Sequence, residues 1–302
     1  MYDLIIIGGG PAGLTAGIYA QRARLRTVLI EREMVGGQIA VSDVIENYPG
    51  FSSISGAELV QRFEEHAKGF GLEIKAAEVE GIGVEGNIKV VRTSEGELRA
   101  KAVIVATGAK PRKLGVKGER ELLGKGVSYC ATCDGPFFRG QRVCVVGGGD
   151  TAVKEAAYLA KLASKVYLVH RRDKLRAEKI LQEKVMKTEN IEILWSHILK
   201  EIKGENGVEA VVLEDLKTGS QKTVEVEGAF IFVGINPTTD FVDVEKDDGG
   251  FIKTNQRMET SVEGIFAAGD CRTTPLRQVS TAVGDGAIAA FVAEGYVEGF
   301  GD

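Results

Sequence analysis

Histidine and cysteine are both scarce in this sequence. Its 302 residues hold three histidines, His66, His170 and His197, and four cysteines, of which only Cys130 and Cys133 are closely spaced. A tetrahedral metal site needs about four convergent ligands; no second cysteine pair and no histidine spacing supplies them, so no metal is expected. Apolar runs long enough to cross a bilayer are missing as well. The first residues enter an apolar strand at once, without the basic segment, hydrophobic stretch and small-residue site of a secretory leader. Those absences lead us to expect a cytoplasmic protein with no membrane association. Positive charge is not in excess either: 38 lysines and arginines against 43 aspartates and glutamates leave a net charge of −5. That balance argues against general affinity for nucleic acid. In such a compartment, cysteines point to catalysis or metal binding before structural disulfides.

What the chain does contain is a pattern used twice. Leu4-Ile5-Ile6-Ile7 runs into Gly8-Gly9-Gly10-Pro11-Ala12-Gly13, and Val143-Cys144-Val145-Val146 runs into Gly147-Gly148-Gly149-Asp150-Thr151-Ala152. Each is a buried strand followed by a glycine loop and a helix start, where free backbone N–H groups and the helix dipole favour a pyrophosphate. Two dinucleotides should bind, and they should differ. Past the first loop, Thr27-Val28-Leu29-Ile30 ends in Glu31, a carboxylate suited to a ribose diol. Past the second, Val166-Tyr167-Leu168-Val169 ends in His170-Arg171-Arg172, with Arg176 following. Cations at that position suit a 2′-phosphate. A solvated basic face is the other reading, since Asp173 and Glu178 lie beside them.

The halves also close alike, on Val103-Ile104-Val105-Ala106-Thr107-Gly108-Ala109-Lys110-Pro111 and on Ala229-Phe230-Ile231-Phe232-Val233-Gly234-Ile235-Asn236-Pro237. Composition, 44% hydrophobic and 27% charged, is that of a globular chain with room for two domains. Alternating segments such as Ile88–Arg92 and Val208–Leu213 read as antiparallel strands over a parallel core. After Pro237 come a strand, Gly264–Asp270, and a small-residue helix from about Thr281 to Ala293. This tail is too short to fold alone and should complete the first domain. The expected fold is therefore α/β with two Rossmann-like dinucleotide-binding domains, the second inserted into the first: 1–111 and 238–302 form one, 112–237 the other.

With these parts in order, the sequence closely resembles the low-molecular-weight thioredoxin reductases over its whole length. The resemblance rests on both glycine loops, Gly36-Gly37-Gln38, Glu46-Asn47-Tyr48-Pro49-Gly50, Cys130-Ala131-Thr132-Cys133-Asp134, the arginine cluster, Ala268-Gly269-Asp270 and Arg277-Gln278. It implies FAD on the first domain and NADPH on the second. For FAD it implies Gly8, Gly10, Pro11, Ala12 and Gly13 at the pyrophosphate and Glu31 at the adenosine ribose. Gly37, Gln38 and Asn47 would lie towards the flavin, with Thr107 and Gly108 at the strand end. Gly269 and Asp270 would serve the ribityl chain, and Arg277, Gln278 and Val279 the ring end. For NADPH it implies Gly147, Gly149, Asp150 and Thr151, then His170, Arg171, Arg172 and Arg176.

Three readings exist for Cys130 and Cys133. Zinc lacks further ligands, and a structural disulfide would close too small a loop to stabilise much, which leaves a redox dithiol. The resemblance implies that Cys133 faces the flavin, that Cys130 attacks thioredoxin, and that Asp134 moves the proton. Asp134 read alone is also an ordinary turn aspartate before Gly135-Pro136. Cys144 reads as a core residue, and Cys271 has no assigned role. The expected activity is reduction of a thioredoxin or thioredoxin-like disulfide by a homodimer. A reductase of a peroxiredoxin or other thioredoxin-fold partner, or a flavin redox sensor without turnover, are the alternatives.

Overall fold

The computed structural model describes residues 1–42 and 45–300. The chain forms two compact units, Met1–Lys110 with Asn236–Asp302, and Pro111–Ile235. The first opens with β1 (Tyr2–Ile7), α1 (Pro11–Arg22) and β2 (Thr27–Glu31). It continues through α2 (Gly56–Gly69), β3 (Glu73–Ala76), β4 (Val79–Glu85), β5 (Ile88–Thr93) and β6 (Gly96–Val105), and the chain leaves through β7 (Ala109–Pro111). The strand order is β3-β2-β1-β6-β5-β4. β1 pairs in parallel with β2 and β6, whereas β4 and β5 form an antiparallel hairpin on β6.

β1 lacks hydrophobic alternation because both of its faces are covered. Leu4 and Ile6 pack with Leu14 of α1, while Ile5 and Ile7 pack with Val91 on the other side. Leu4, Ile5 and Ile6 are fully buried, and truncating either isoleucine to alanine should cost about 2–5 kcal/mol.

The second unit holds β8 (Val127–Ser128), α3 (Ala131–Asp134), β9 (Arg142–Gly147), α4 (Asp150–Leu159), β10 (Lys165–His170), α5 (Lys179–Met186) and β11 (Ile191–Trp195). A three-stranded antiparallel sheet comes next, β12 (His197–Lys203), β13 (Ala210–Asp215) and β14 (Gln221–Glu225), and then β15 (Gly228–Phe232). The parallel sheet runs β11-β10-β9-β15-β8. Here too the central strand is two-sided: Val143 and Val145 pack with Val153 and Ala156 of α4, and Cys144 and Val146 with Val211 and Leu213 of the antiparallel sheet.

The chain returns through β16 (Ile235–Pro237), and β17 (Ile265–Ala267) joins β6 in parallel before α6 (Val279–Glu298). α6 outruns the expected Thr281–Ala293 at both ends. Gln278 caps it through a reciprocal bond with Thr281, and nothing in the sequence breaks it before Gly299. Among the described residues, no helix is long and apolar enough to cross a membrane.

Candidate active site

In the first unit, the turn after β1 is held by the Gly8 N–H, which donates to the Ile30 carbonyl at 2.8 Å. Gly10 caps α1 and Pro11 occupies its first position, where the missing N–H costs nothing. A Cβ on Gly13 would stand 1.8 Å from the Gly8 carbonyl oxygen, so this glycine lets α1 close on the loop. Glu31, at the end of β2, accepts the Gly9 N–H at 2.7 Å through Oε2 and the Glu33 N–H at 2.9 Å through Oε1. Its carboxylate is fixed at the loop.

These residues border a cavity of about 720 Å³. The loop contributes Gly8, Gly10, Pro11 and Ala12, and β2 contributes Glu31. The turn beyond β2 adds Gly37 and Gln38, the end of β6 adds Thr107 and Gly108, and the tail adds Gly269, Asp270, Gln278 and Val279. Asn47 and Arg277 are not on the wall. Asn47 Nδ2 donates to Gln278 Oε1 at 3.0 Å and orients that side chain. The Arg277 guanidinium lies over the Phe251 ring, 4.2 Å from its centroid, with Nε buried and unpaired among the described residues. Burial pushes the Asp270 carboxyl up to about 6; Arg277 pulls the other way and Asp285 adds to the rise. Burial also lowers the Arg277 pKa against the opposite pull of Asp270.

Sequence reasoning misses several residues here. Thr238, Thr239, Asp240 and Phe241 line the cavity from the return segment, and Thr107 Oγ1 donates to the Thr238 carbonyl at 2.6 Å. Arg272 grips Asp285 with Nε and Nη2 at 2.8 and 3.1 Å, and Asp285 also accepts the Gly269 N–H at 3.1 Å. One signal was available: Asp285 is the only charged residue between Val279 and Ala293, and a buried carboxylate requires a partner.

The cavity fits an adenine dinucleotide. Gly10 and Gly108 face open space, where an added Cβ would meet nothing within 4 Å. The first N–H groups of α1 could hold a pyrophosphate, and Glu31 and Asp270 could accept from hydroxyls.

In the second unit, Gly149 caps α4. Asp150 Oδ1 accepts the Glu178 N–H at 2.8 Å and the Arg176 N–H donates to the Gly148 carbonyl at 2.7 Å, tying the segment after β10 to the loop. His170 is 5% exposed. Its ring lies where a Cβ on Gly148 would fall, 2.2 Å away, and its Nε2 is 3.0 Å from the Lys174 carbonyl oxygen. Burial lowers the pKa of this imidazole, which is neutral at pH 7 and braces the loop from beneath. Thr151, Arg171, Arg172 and Arg176 are exposed. Neither Asp173 nor Glu178 forms an ion pair with those arginines among the described residues.

Cys130 and Cys133 form a disulfide with S–S 2.14 Å. Cys130 caps α3, and the Cys133 N–H donates to its Sγ at 3.2 Å. An N–H aimed at sulfur stabilises a thiolate there once the bond is reduced. The Cys130 backbone is held by Ser128, whose Oγ accepts its N–H at 3.0 Å and donates to its carbonyl at 3.2 Å. Asp134 is half-buried in the same turn, its N–H on the Cys130 carbonyl at 3.1 Å. Cys144 and Cys271 are free and fully buried. Burial raises their thiols to about 12 and about 11, so neither ionises near neutral pH.

Comparison with known proteins agrees with this arrangement. The sequence pattern of the family described as pyridine nucleotide-disulphide oxidoreductase matches residues 2–286. A thioredoxin reductase of Bacillus subtilis is 50% identical over 302 residues, covering 99% of this chain and 95% of its own. Among solved structures, a thioredoxin reductase from Streptococcus pyogenes is 48% identical with a TM-score of 0.95, covering 99% of each chain. One from Giardia duodenalis is 40% identical with a TM-score of 0.94, covering 98% of this chain and 99% of that one.

Proposed function

The chain belongs to the pyridine nucleotide-disulphide oxidoreductases and, within them, to the thioredoxin reductases, and from that premise we propose which residues carry each part of the work. It is a thioredoxin-disulfide reductase that uses FAD and NADPH. FAD, when bound, supplies the conversion of a hydride from NADPH into an electron pair that a disulfide can accept.

We assign FAD to segments 1–111 and 238–302. The α1 amides take the pyrophosphate, Glu31 the adenosine ribose and Asp270 a ribityl hydroxyl, with Gln38, Asn47, Gln278 and Val279 bordering the ring end. NADPH belongs to segment 112–237. Its pyrophosphate sits at the start of α4, by Gly147, Gly149, Asp150 and Thr151, and its 2′-phosphate between Arg171, Arg172 and Arg176. The exposure of three guanidiniums without carboxylate partners supports that reading, because a free phosphate site needs uncommitted donors. His170 acts through Gly148 as a positioning residue.

Exchange proceeds from the dithiol. The Cys130 thiolate attacks one sulfur of the thioredoxin disulfide, forming a mixed disulfide and releasing a partner thiolate. Cys133 then attacks the Cys130 sulfur, which restores the internal disulfide and releases the second thiolate. Both partner thiolates are protonated, and Asp134 moves the proton between Cys133 and solvent. The observation that carries this reading is the Cys130–Cys133 pair at the cap of α3, with an N–H directed at Cys130 Sγ. Turnover of NADPH with thioredoxin-like proteins of the same cell tests it: steady disulfide reduction is expected, and no reduction of any of them would contradict it.

A homodimer is the assembly we propose. Ile288 and Phe291, 41% and 68% exposed and one turn apart on α6, offer an apolar face for a second copy. Light scattering should give twice the 32.4 kDa chain mass. A cytoplasmic location is consistent with a dithiol that is kept reduced at the expense of NADPH.

A further inference from the structure

β8 is only two residues long and pairs with β15 at Val127 and Ser128 alone. The sheet therefore ends two residues short of Cys130, and so short an edge strand does little to fix the residues after it. Something else must hold the register. Glu119 is 3% exposed. It accepts the Leu114 N–H at 2.9 Å, the Gly115 N–H at 2.6 Å and the Tyr129 phenol at 2.7 Å. Among the described residues it has no cationic partner. A carboxylate buried against three neutral donors carries a desolvation cost that no opposite charge offsets. What it achieves is a link: one side chain joins Leu114 and Gly115, just inside the first crossing into this unit, to the residue immediately before Cys130. Burial, with Glu119 second, raises the Tyr129 pKa, so the phenol remains a donor.

We propose that Glu119 and Tyr129 are positioning residues for disulfide exchange, a clamp that fixes the Cys130 backbone together with the Ser128 hydroxyl and anchors it to the entry segment at Leu114–Gly115. The proposal rests on the assignment of Cys130 as the exchanging thiol. It adds two side chains outside both glycine loops and outside the wall of the cavity.

Tyr129→Phe removes one oxygen and keeps the ring. In the FAD-loaded enzyme, flavin bleaching by NADPH in an anaerobic single turnover should keep its wild-type rate, because Tyr129 lies outside the nucleotide loops. The kcat for thioredoxin reduction should fall about 10- to 100-fold, as for loss of a hydrogen bond to a charged group, with KM little changed. Glu119→Gln keeps one oxygen for Tyr129 and the Leu114 N–H but sets an amide NH2 against the Gly115 N–H, so its loss should be of similar size. Wild-type exchange in Tyr129→Phe would overturn the clamp. So would an equal fall in bleaching and exchange, which marks a general structural role. If Glu119→Gln fails to fold, Tyr129→Phe decides by itself. Cys130→Ser distinguishes the underlying assignment: retained turnover there removes Cys130 as the exchanging thiol, whereas lost turnover alongside normal exchange in Tyr129→Phe removes only the clamp.

Discussion

Arg171 and Arg172 are exposed side chains whose removal leaves the fold nothing to repair, which makes them clean probes of nucleotide choice. Each charge-assisted contact to a phosphate is worth about 1.5–3 kcal/mol. The Arg171→Ala, Arg172→Ala double variant should therefore bind NADPH roughly 10²- to 10⁴-fold more weakly, in the limit of independent contacts, and NADH almost as before. Equal loss of both nucleotides in a titration would assign the arginines to the fold instead. Asp270 gives a pH signature. Its carboxyl is raised from an ordinary 3.8 to about 6 by burial, so the folded protein prefers it protonated. Its contribution to stability is full below about pH 4 and is lost as pH rises through about 6. In flavin-free protein, Asp270→Asn should remove that loss, worth up to about 3 kcal/mol at pH 7. Denaturant midpoints at pH 4.5 and pH 7.5 check this: a clearly larger gain at the higher pH is expected, and an equal effect at both would refute it.

The βαβ starts were readable from the chain because their information is local. An apolar run, a glycine loop and a residue at the end of the next strand fall within about thirty positions, and Cys130 and Cys133 lie within one helical turn. The tail and the linkers were harder. Arg272 with Asp285, Thr107 with Thr238, and Asn47 with Gln278 are brought together only by the return of the chain, the last pair across 231 positions. Glu119 escapes notice because its donors are two backbone amides and a phenol, which leave no pattern in sequence. Two variants test the elements that these contacts build. Gly148→Ala places a methyl where the His170 ring lies, so the second glycine loop should shift; KM for NADPH should rise while flavin content stays normal. Asp285→Asn removes the negative charge facing the half-buried Arg272 guanidinium and sets an amide NH2 against one of its donors, at a cost of about 3 kcal/mol. Its denaturant midpoint should drop and it should lose FAD on dilution, whereas unchanged flavin retention would separate that ion pair from the Asp270 turn.

The two units divide the labour. Every residue we assign to FAD belongs to Met1–Lys110 or Asn236–Asp302, whereas the dithiol and the second glycine loop share Pro111–Ile235. Nicotinamide and Cys133 must each come close to one flavin ring for their steps, and we propose that one arrangement does not serve both. We expect turnover to alternate between two arrangements about the crossings at 110–111 and 235–236, where a few backbone torsions absorb the change. An engineered crosslink joining the units should permit flavin reduction or dithiol reduction but not continuous turnover. The order of electron flow itself is tested by Cys133→Ser. In anaerobic stopped flow with NADPH and thioredoxin, its flavin absorbance should bleach at the wild-type rate while no thioredoxin disulfide is reduced. Thioredoxin reduction at a near wild-type rate by that variant would contradict the relay through Cys130 and Cys133.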